Sequence, residues 1–531
     1  MNEELCALWR ANPSVNPLTN RVIKIDGPVY QTLAKQCSAL YALYDASPSV
    51  PPLSVPSLSV SSPSLPLNEK EEFASETYIN NRIFEKGLHH LRQVLPDLKK
   101  ETKDENKKDL CHVCYVIEKE VLPSAKKPLD YARTLDSLSI PNHVSYHHQN
   151  ALPTLRLLSA FNCHDGQRKL TLGLLEFLVK AMDELKCKPE DVFVVYAGGS
   201  SLAASVAISL FPELRISLYD PDDKSVFRML APSIKNKIMV YKHRSDLPAY
   251  QVKFAPLMIF TNNAGWFSDQ TARYCREKLF PMSERKYLLF VSDIRGDTDE
   301  YDIVTDMRSQ MRWTLMLKAA FYMHKFRLPY QNEENTETIK SMYDDLHHIK
   351  PYFSKITIEN PEMKNNPNAI LYLSGEPLLQ PFGPQRTTEL RLIGKTAKNN
   401  QFTFRYYDVM KTENQAALFN NLYRGYAHYA YTTMTGEKIV NSFEKVTEYY
   451  IIAQCASLLS LPELTQDEKI KKVGDIVDKV LQERISEKVS IDQCKYMSLQ
   501  KYLQKNKQKY EEVVPDYFQK IFAPYRKIRS S

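Results

Sequence analysis

The chain has 531 residues, enough for two to four domains that each bury a core of their own. Hydrophobic residues make up 43% and charged residues 25%, an ordinary soluble balance, and no run approaches the roughly 18 apolar residues of a membrane-spanning helix. The formal net charge of +7 is modest but unevenly placed. The amino terminus, MNEELCALWRANPS, has no basic region followed by an apolar core, so no secretory signal is expected and the product is expected in the cytosol. Nine cysteines, an odd number scattered through a long chain, argue against a disulfide framework. Cys111 and Cys114 form one C-x-x-C without a second pair at zinc-finger spacing, so a reduced structural pair is expected and no metal.

Residues 1–42 read as a separate unit. Cys6, Trp9, Asn12-Pro13, Asn16-Pro17, Thr19, Arg21, Gly27-Pro28, Tyr30 and Cys37 make it similar to the two-cysteine adaptor domain of large cytoplasmic DNA viruses. That resemblance implies a viral protein with the adaptor fused to a catalytic domain. It supplies no chemistry and leaves the adaptor's partner unknown. The two cysteines stay open between a pair, a metal site with another group, and small buried residues. Residues 43–68 form a linker: Ser47 to Leu67 holds eight Ser, six Pro and no charge, which suits a semi-extended tether. Residues 69–140 read as a helical lead-in interrupted by the charged run KKETKDENKKD.

Residues 141–485 carry an α/β pattern. Gly166 to Leu185 has apolar residues at helical spacing, and five apolar runs follow: VFVVYA, RISLYD, KIMVYK, LMIFTN and YLLFVSD. Asp302 to about Lys318 predicts another helix and AFYMHKFRL a strand. ILYLSG and TELRLIG have strand length and could pair at one edge, and Leu418 to about Glu483 reads as helical. The sum is a Rossmann-like doubly wound sheet with flanking helices, whose ligands bind beyond the carboxyl ends of the strands. Residues 486–531 close the chain. Between Glu487 and Ser531 ten Lys/Arg stand against five Asp/Glu, a surplus of five, interleaved with aromatics. Such a tail suits either a phosphate-rich partner whose bases stack or a solvated helix.

Four segments carry the chemistry: GQRKLTLGLLEFL (Lys169), LLFVSDIRGD (Asp293), AAFYMHKFRLPY (Lys325) and LLQPFGPQRTTELRLIG (Glu389). A ribose hydroxyl is a poor nucleophile until it is aligned and deprotonated. A lysine serves as base when burial and a neighbouring cation favour its neutral form, and carboxylates orient it. Taken singly, each residue has a plain alternative: Lys169 a solvated lysine, Glu389 a partner for Arg391, Asp293 a common strand-end acid. Together and in this order, with their neighbours, they resemble the poxvirus-type cap-specific mRNA 2′-O-methyltransferases, which also serve as the regulatory subunit of the viral poly(A) polymerase. The resemblance spans roughly residues 145–485. It implies Lys325 as base supported by Lys169, Asp293 and Glu389, S-adenosylmethionine as cofactor, capped mRNA as substrate and a viral poly(A) polymerase catalytic subunit as partner. It also implies the host cytoplasm, with packaging in the virion left open.

By the same resemblance, a 7-methylguanine base stacks between two aromatics while acids read its edge. Tyr330 and Tyr146 fall where the rings belong, and Asn332 and Glu413 where the acids belong, the amide at 332 being a departure. The cofactor loop reads VVYAGGSSLAAS, so Gly198, Gly199, Ser200 and Ala203 take the loop positions, with Ala203 where the family has glycine. Asp220 takes the place of the ribose-holding acid, and Pro221-Asp222 replaces the family's Gly and Arg. Two functions follow: an active cap methyltransferase, or a catalytically inactive RNA-binding processivity subunit of the polymerase.

Overall fold

Alternate residues of the VFVVYA run feed two different apolar cores: Phe193, Val195 and Ala197 join one, Val192, Val194 and Tyr196 the other. A strand covered on both faces has to be continuously apolar, as this one is. It is β1 (Val192–Ala197) at the centre of an eight-stranded sheet. The computed structural model describes residues 113–135, 165–241 and 249–484, except 297–298, 332–333, 354, 385–386, 397–400, 434–435 and 460, together with 15–16, 21–22, 91–92, 95–96 and 99. Two compact units divide the chain, Met1–Glu69 and Lys70–Ser531. In the first, Val15–Asn16 pairs antiparallel with Arg21–Val22. The linker at 43–68, the tail at 486–531, Cys111, Tyr146 and Asn332 lie outside the described residues.

In the second unit, β2 (Arg215–Tyr219), β3 (Ile238–Tyr241), β4 (Leu257–Phe260), β5 (Tyr287–Ser292) and β6 (Phe321–Phe326) run parallel with β1. Three further strands follow β6: β7 (Ile356–Ile358), β8 (Ala369–Leu373) and β9 (Glu376–Leu378). After them come β10 (Leu390–Lys395) and β11 (Phe402–Asp408). The sheet order is β9-β10-β6-β5-β1-β2-β4-β3, with β10 antiparallel to β6 and β9 antiparallel to β10. The chain leaves β1 toward β2 on one side and returns to β5 on the other, so a crevice opens beyond the carboxyl ends of β1 and β5.

Helix α1 (Gly166–Leu185) packs against α2 (Ser201–Leu210) in one apolar core, and α3 (Glu300–Leu317) packs in the other. Asp165 caps α1 by accepting the Arg168 N–H, and Lys186 ends it in the left-handed region.

Two readings of the sequence are corrected. ILYLSG and TELRLIG do not pair: β8 belongs to a separate three-stranded sheet, β7-β11-β8, while β10 joins the main sheet. The Phe402–Asp408 segment takes both neighbours of that second sheet, burying Phe402 and Phe404. Residues 418–483 are not helical throughout either. The hairpin β12 (Tyr429–Thr432) and β13 (Lys438–Asn441) separates α4 (Val409–Leu418) from α5 (Phe443–Leu458) and α6 (Gln466–Gln482). Strand β12 also pairs with Leu129–Asp130, drawing the lead-in into the core. Among the described residues no helix is long and apolar enough to cross a membrane.

Candidate active site

Three strand ends and one helix start meet at the crevice. The Asp293 N–H, just past β5, donates to the Ala197 carbonyl at 2.9 Å, and the Gly198 N–H donates to the Tyr219 carbonyl at 2.8 Å. Lys325 is the fifth residue of β6, Glu389 immediately precedes β10, and Lys169 stands in the first turn of α1. The loop carrying Glu389 is tied to that helix, because the Asp165 N–H donates to the Phe382 carbonyl at 3.0 Å. Phe382 itself has φ 54, a conformation costly for a residue with a Cβ. Arg424, fully buried, braces the same loop through the Gly383 carbonyl at 2.8 Å and pairs with Glu444 at 3.2 Å.

The four expected residues form one ionic cluster. Lys169 Nζ donates to Glu389 Oε1 at 3.2 Å; Lys325 Nζ lies 3.4 Å from Asp293 Oδ1 and 3.5 Å from Glu389 Oε2. The side chains are largely shielded, between 12% and 18% exposed. A fifth charge completes the group. Arg391 Nη1 donates to Asp293 Oδ1 at 2.7 Å, Arg391 Nη2 lies 3.5 Å from Glu389 Oε1, and Arg391 Nε donates to Gln380 Oε1 at 3.0 Å. The pairing of Glu389 with Arg391, the plain alternative read from sequence, coexists with the lysine contacts. Arg391 and Gln380 carried a usable signal: Arg391 sits two residues after Glu389 on a strand, hence on the same face.

The electrostatics follow from burial and from three cations around two carboxylates. Burial works against the Asp293 carboxylate, but Arg391 and Lys325 outweigh it and hold it below the usual range. The same contest at Glu389, with Arg391, Lys169 and Lys325 against burial, leaves that carboxyl well below its ordinary value. Burial pushes the Lys169 ammonium down; Glu389 resists, and Arg391 and Lys325 add to the fall. Three positive groups against two negative ones leave an excess of one charge, which loss of one lysine proton cancels.

The loop after β1 forms the adjoining wall. Gly198 has φ +64, and a Cβ there would lie 2.9 Å from Ile294 Cγ1; at Gly199 it would lie 2.7 Å from the Tyr196 ring. Gly198 is therefore required by its positive φ and the close approach of the chain after β5, and Gly199 by the turn of its loop back over the Tyr196 ring. Ser200 caps α2, its Oγ accepting the Ala203 N–H at 3.2 Å and donating to Gln167 Oε1 at 2.8 Å. Ala203 lies inside α2 with its methyl group buried, so no positive φ is needed there. Asp220 follows β2, half-buried. Burial raises its carboxyl, the Asp222 N–H lowers it, and Asp222 and Asp293 add to the rise. The Asp222 carboxylate is turned to cap its own short helix through the Ser225 N–H at 3.2 Å.

A second group of residues lies past β6. Arg327 stacks its guanidinium 4.1 Å above the Tyr330 ring, and Tyr330 OH is 3.1 Å from Thr388 Oγ1, next to Glu389. Glu413, on α4, is buried, and that burial pushes its carboxyl up to about 7, with Arg327 lowering it and Glu300 raising it. Among the described residues no group of His, Cys, Asp and Glu is arranged to hold a metal ion.

Residues 5–39 match the family model of the 2-cysteine adaptor domain. No curated protein matches the chain.

Proposed function

We propose that the larger unit transfers a methyl group to the ribose 2′-hydroxyl of the first nucleotide of capped viral mRNA. The observation that carries this reading is the convergence of Lys169, Lys325, Asp293 and Glu389, from four distant segments, on one shielded cluster at the sheet's crevice. S-adenosylmethionine, for which Gly198, Gly199, Ser200 and Asp220 are the fitting residues, would supply an electrophilic methyl group. Asp293 and Glu389 hold Lys325 from two sides, so its amine has a fixed direction in which to accept a proton from a hydroxyl. The Lys169 ammonium is pushed down chiefly by burial, and the charge of Lys325 adds to that fall. Arg391 keeps both carboxylates ionised, so neither competes for that proton.

Tyr330 and Glu413 are assigned to the cap base, the ring stacking on the cationic purine and the acid accepting from its edge. A polymerase partner, the viral setting and the host cytoplasm belong to the same proposal. The alternative, an inactive RNA-binding subunit, is favoured by Asp222, an acid where the resemblance implies a base. Calorimetry of the full chain with S-adenosylmethionine, followed by methyl transfer to capped RNA, tests the proposal. Binding with transfer supports it; no binding leaves the RNA-binding subunit.

A further inference from the structure

Gln380 follows β9 closely and is buried. Strands β9 and β10 pair as far as Leu378 opposite Arg391, and just beyond that pair Gln380 comes beside Glu389. Its Nε2 donates to the Glu389 backbone carbonyl at 2.8 Å and to Glu389 Oε1 at 3.2 Å. Its Oε1 accepts from Arg391 Nε at 3.0 Å, and Arg391 in turn holds Asp293 at 2.7 Å. The orientation of the amide follows from its partners: Arg391 can only donate, so the amide oxygen faces it and the amide nitrogen serves Glu389. The Glu389 N–H donates to Thr387 Oγ1 at 3.0 Å, so the backbone and side chain of that residue are both fastened. Its Oε1 is then the oxygen met by Lys169, and its Oε2 the one left to Lys325.

We propose that Gln380 is the positioning residue of this cluster, setting the rotamer of Glu389 directly and the seat of Asp293 through Arg391, so that the two acids hold the Lys325 amine in one direction. The inference rests on the methyl-transfer reading of the cluster. The amide suits this task because it is neutral and two-sided, with N–H groups for two oxygens of Glu389 and an acceptor for Arg391. A carboxylate at this position would still accept from Arg391, but it would offer no donor and would set a like charge against Glu389. An apolar side chain would take a partner from both Arg391 Nε and Glu389.

The test is steady-state methyl transfer to capped RNA by the full chain between about pH 6 and 10, for the unmodified protein, Gln380→Leu and Gln380→Glu. The rate is counted per S-adenosylmethionine site titrated by calorimetry. Competitive acetylation of Lys169 and Lys325 over the same range, read by peptide mass spectrometry, follows the lysine protons without substrate or cofactor. Both variants should lose kcat about 10- to 100-fold, with KM for RNA and cofactor affinity nearly unchanged. In Gln380→Glu the added negative charge favours both ammonium groups, so the plateau of the rate and the acetylation of the lysines should move to higher pH. In Gln380→Leu both should stay, because the charged groups facing Lys169 remain Glu389, Arg391, Asp293 and Lys325. A fall in titratable cofactor sites, with kcat per site and both pH profiles unmoved, would make Gln380 a packing residue and overturn the inference alone. Full activity in both variants would do the same. No methyl transfer by the unmodified protein would remove the reaction reading and this role together.

Discussion

Arg391 stands directly opposite Lys325 in the antiparallel register of β10 and β6, two cations on neighbouring strands. Like charges so placed repel. Here Asp293 bridges them, 2.7 Å from Arg391 and 3.4 Å from Lys325, and turns the repulsion into a reason for both to hold the same carboxylate. Arg391→Ala should therefore cost about 3–5 kcal/mol, because two buried carboxylates lose their strongest partner. Chemical denaturation of the variant against the unmodified protein measures this. A loss under about 1 kcal/mol would mean that the lysines alone suffice.

Lys325→Arg should abolish methyl transfer while leaving RNA and cofactor binding nearly unchanged. Arginine keeps the charge but cannot accept a proton near neutral pH. Lys169→Arg serves as the comparison, since burial already pushes Lys169 below its ordinary value. Full activity in Lys325→Arg together with loss in Lys169→Arg would exchange the roles of the two lysines.

In the loop after β1, Gly198→Ala is expected to lose the proposed S-adenosylmethionine binding, because the new methyl group meets both Ile294 and a positive φ. Ala203→Gly should instead gain no affinity and destabilise by about 1 kcal/mol, the helix cost of glycine. Calorimetry and thermal melts on both variants decide. Tighter cofactor binding in Ala203→Gly would mean that the methyl group at 203 obstructs the site after all.

Capped RNA should bind more tightly than uncapped RNA, and Tyr330→Ala should remove most of the difference, about 1–3 kcal/mol for one lost stacking face. Fluorescence titration with matched oligonucleotides reads it. Equal affinities for the unmodified protein would withdraw the assignment.

Buried His324 makes stability pH-dependent. Burial lowers its pKa from 6.5 to about 3, so the folded state favours the neutral ring, bonded to Thr314 at 2.7 Å and Tyr372 at 2.9 Å. A depressed folded-state value contributes stability that is full above about pH 6.5 and is lost as pH falls toward 3. His324→Gln should flatten the dependence of unfolding free energy on pH in that window. An equal slope in the variant would assign the acid sensitivity to other groups.

The parallel half of the sheet was legible because its strands are short, mostly apolar runs bounded by turn or helix signals. The edge was not. Phe402–Asp408 carries Arg405 and two tyrosines, so its alternation is masked, yet it is the strand that takes β8 away from β10. The β12–β13 hairpin offered a signal in its aromatic and β-branched runs around Gly436, which adopts φ 85. At the site, the charged residues could be named from order and neighbours. Arg391 was in view as a partner of Glu389, but its hold on Asp293 and Gln380 and the pairing of Glu300 with Arg327 were not, since they depend on the register of β10 and on where α3 begins.

Arg133 pairs with buried Glu176 through Nε to Oε1 at 2.7 Å and donates from Nη1 to the Leu379 carbonyl, while Thr134 bridges Leu378 at the sheet's last strand. The lead-in is thus a clasp closed over an otherwise open sheet edge. A fragment trimmed to begin at residue 141 would carry every residue of the ionic cluster. It would also leave Glu176 without its arginine and β9 free to pair with a stranger, and should come out of expression aggregated. Cutting upstream of residue 113 keeps the clasp in place.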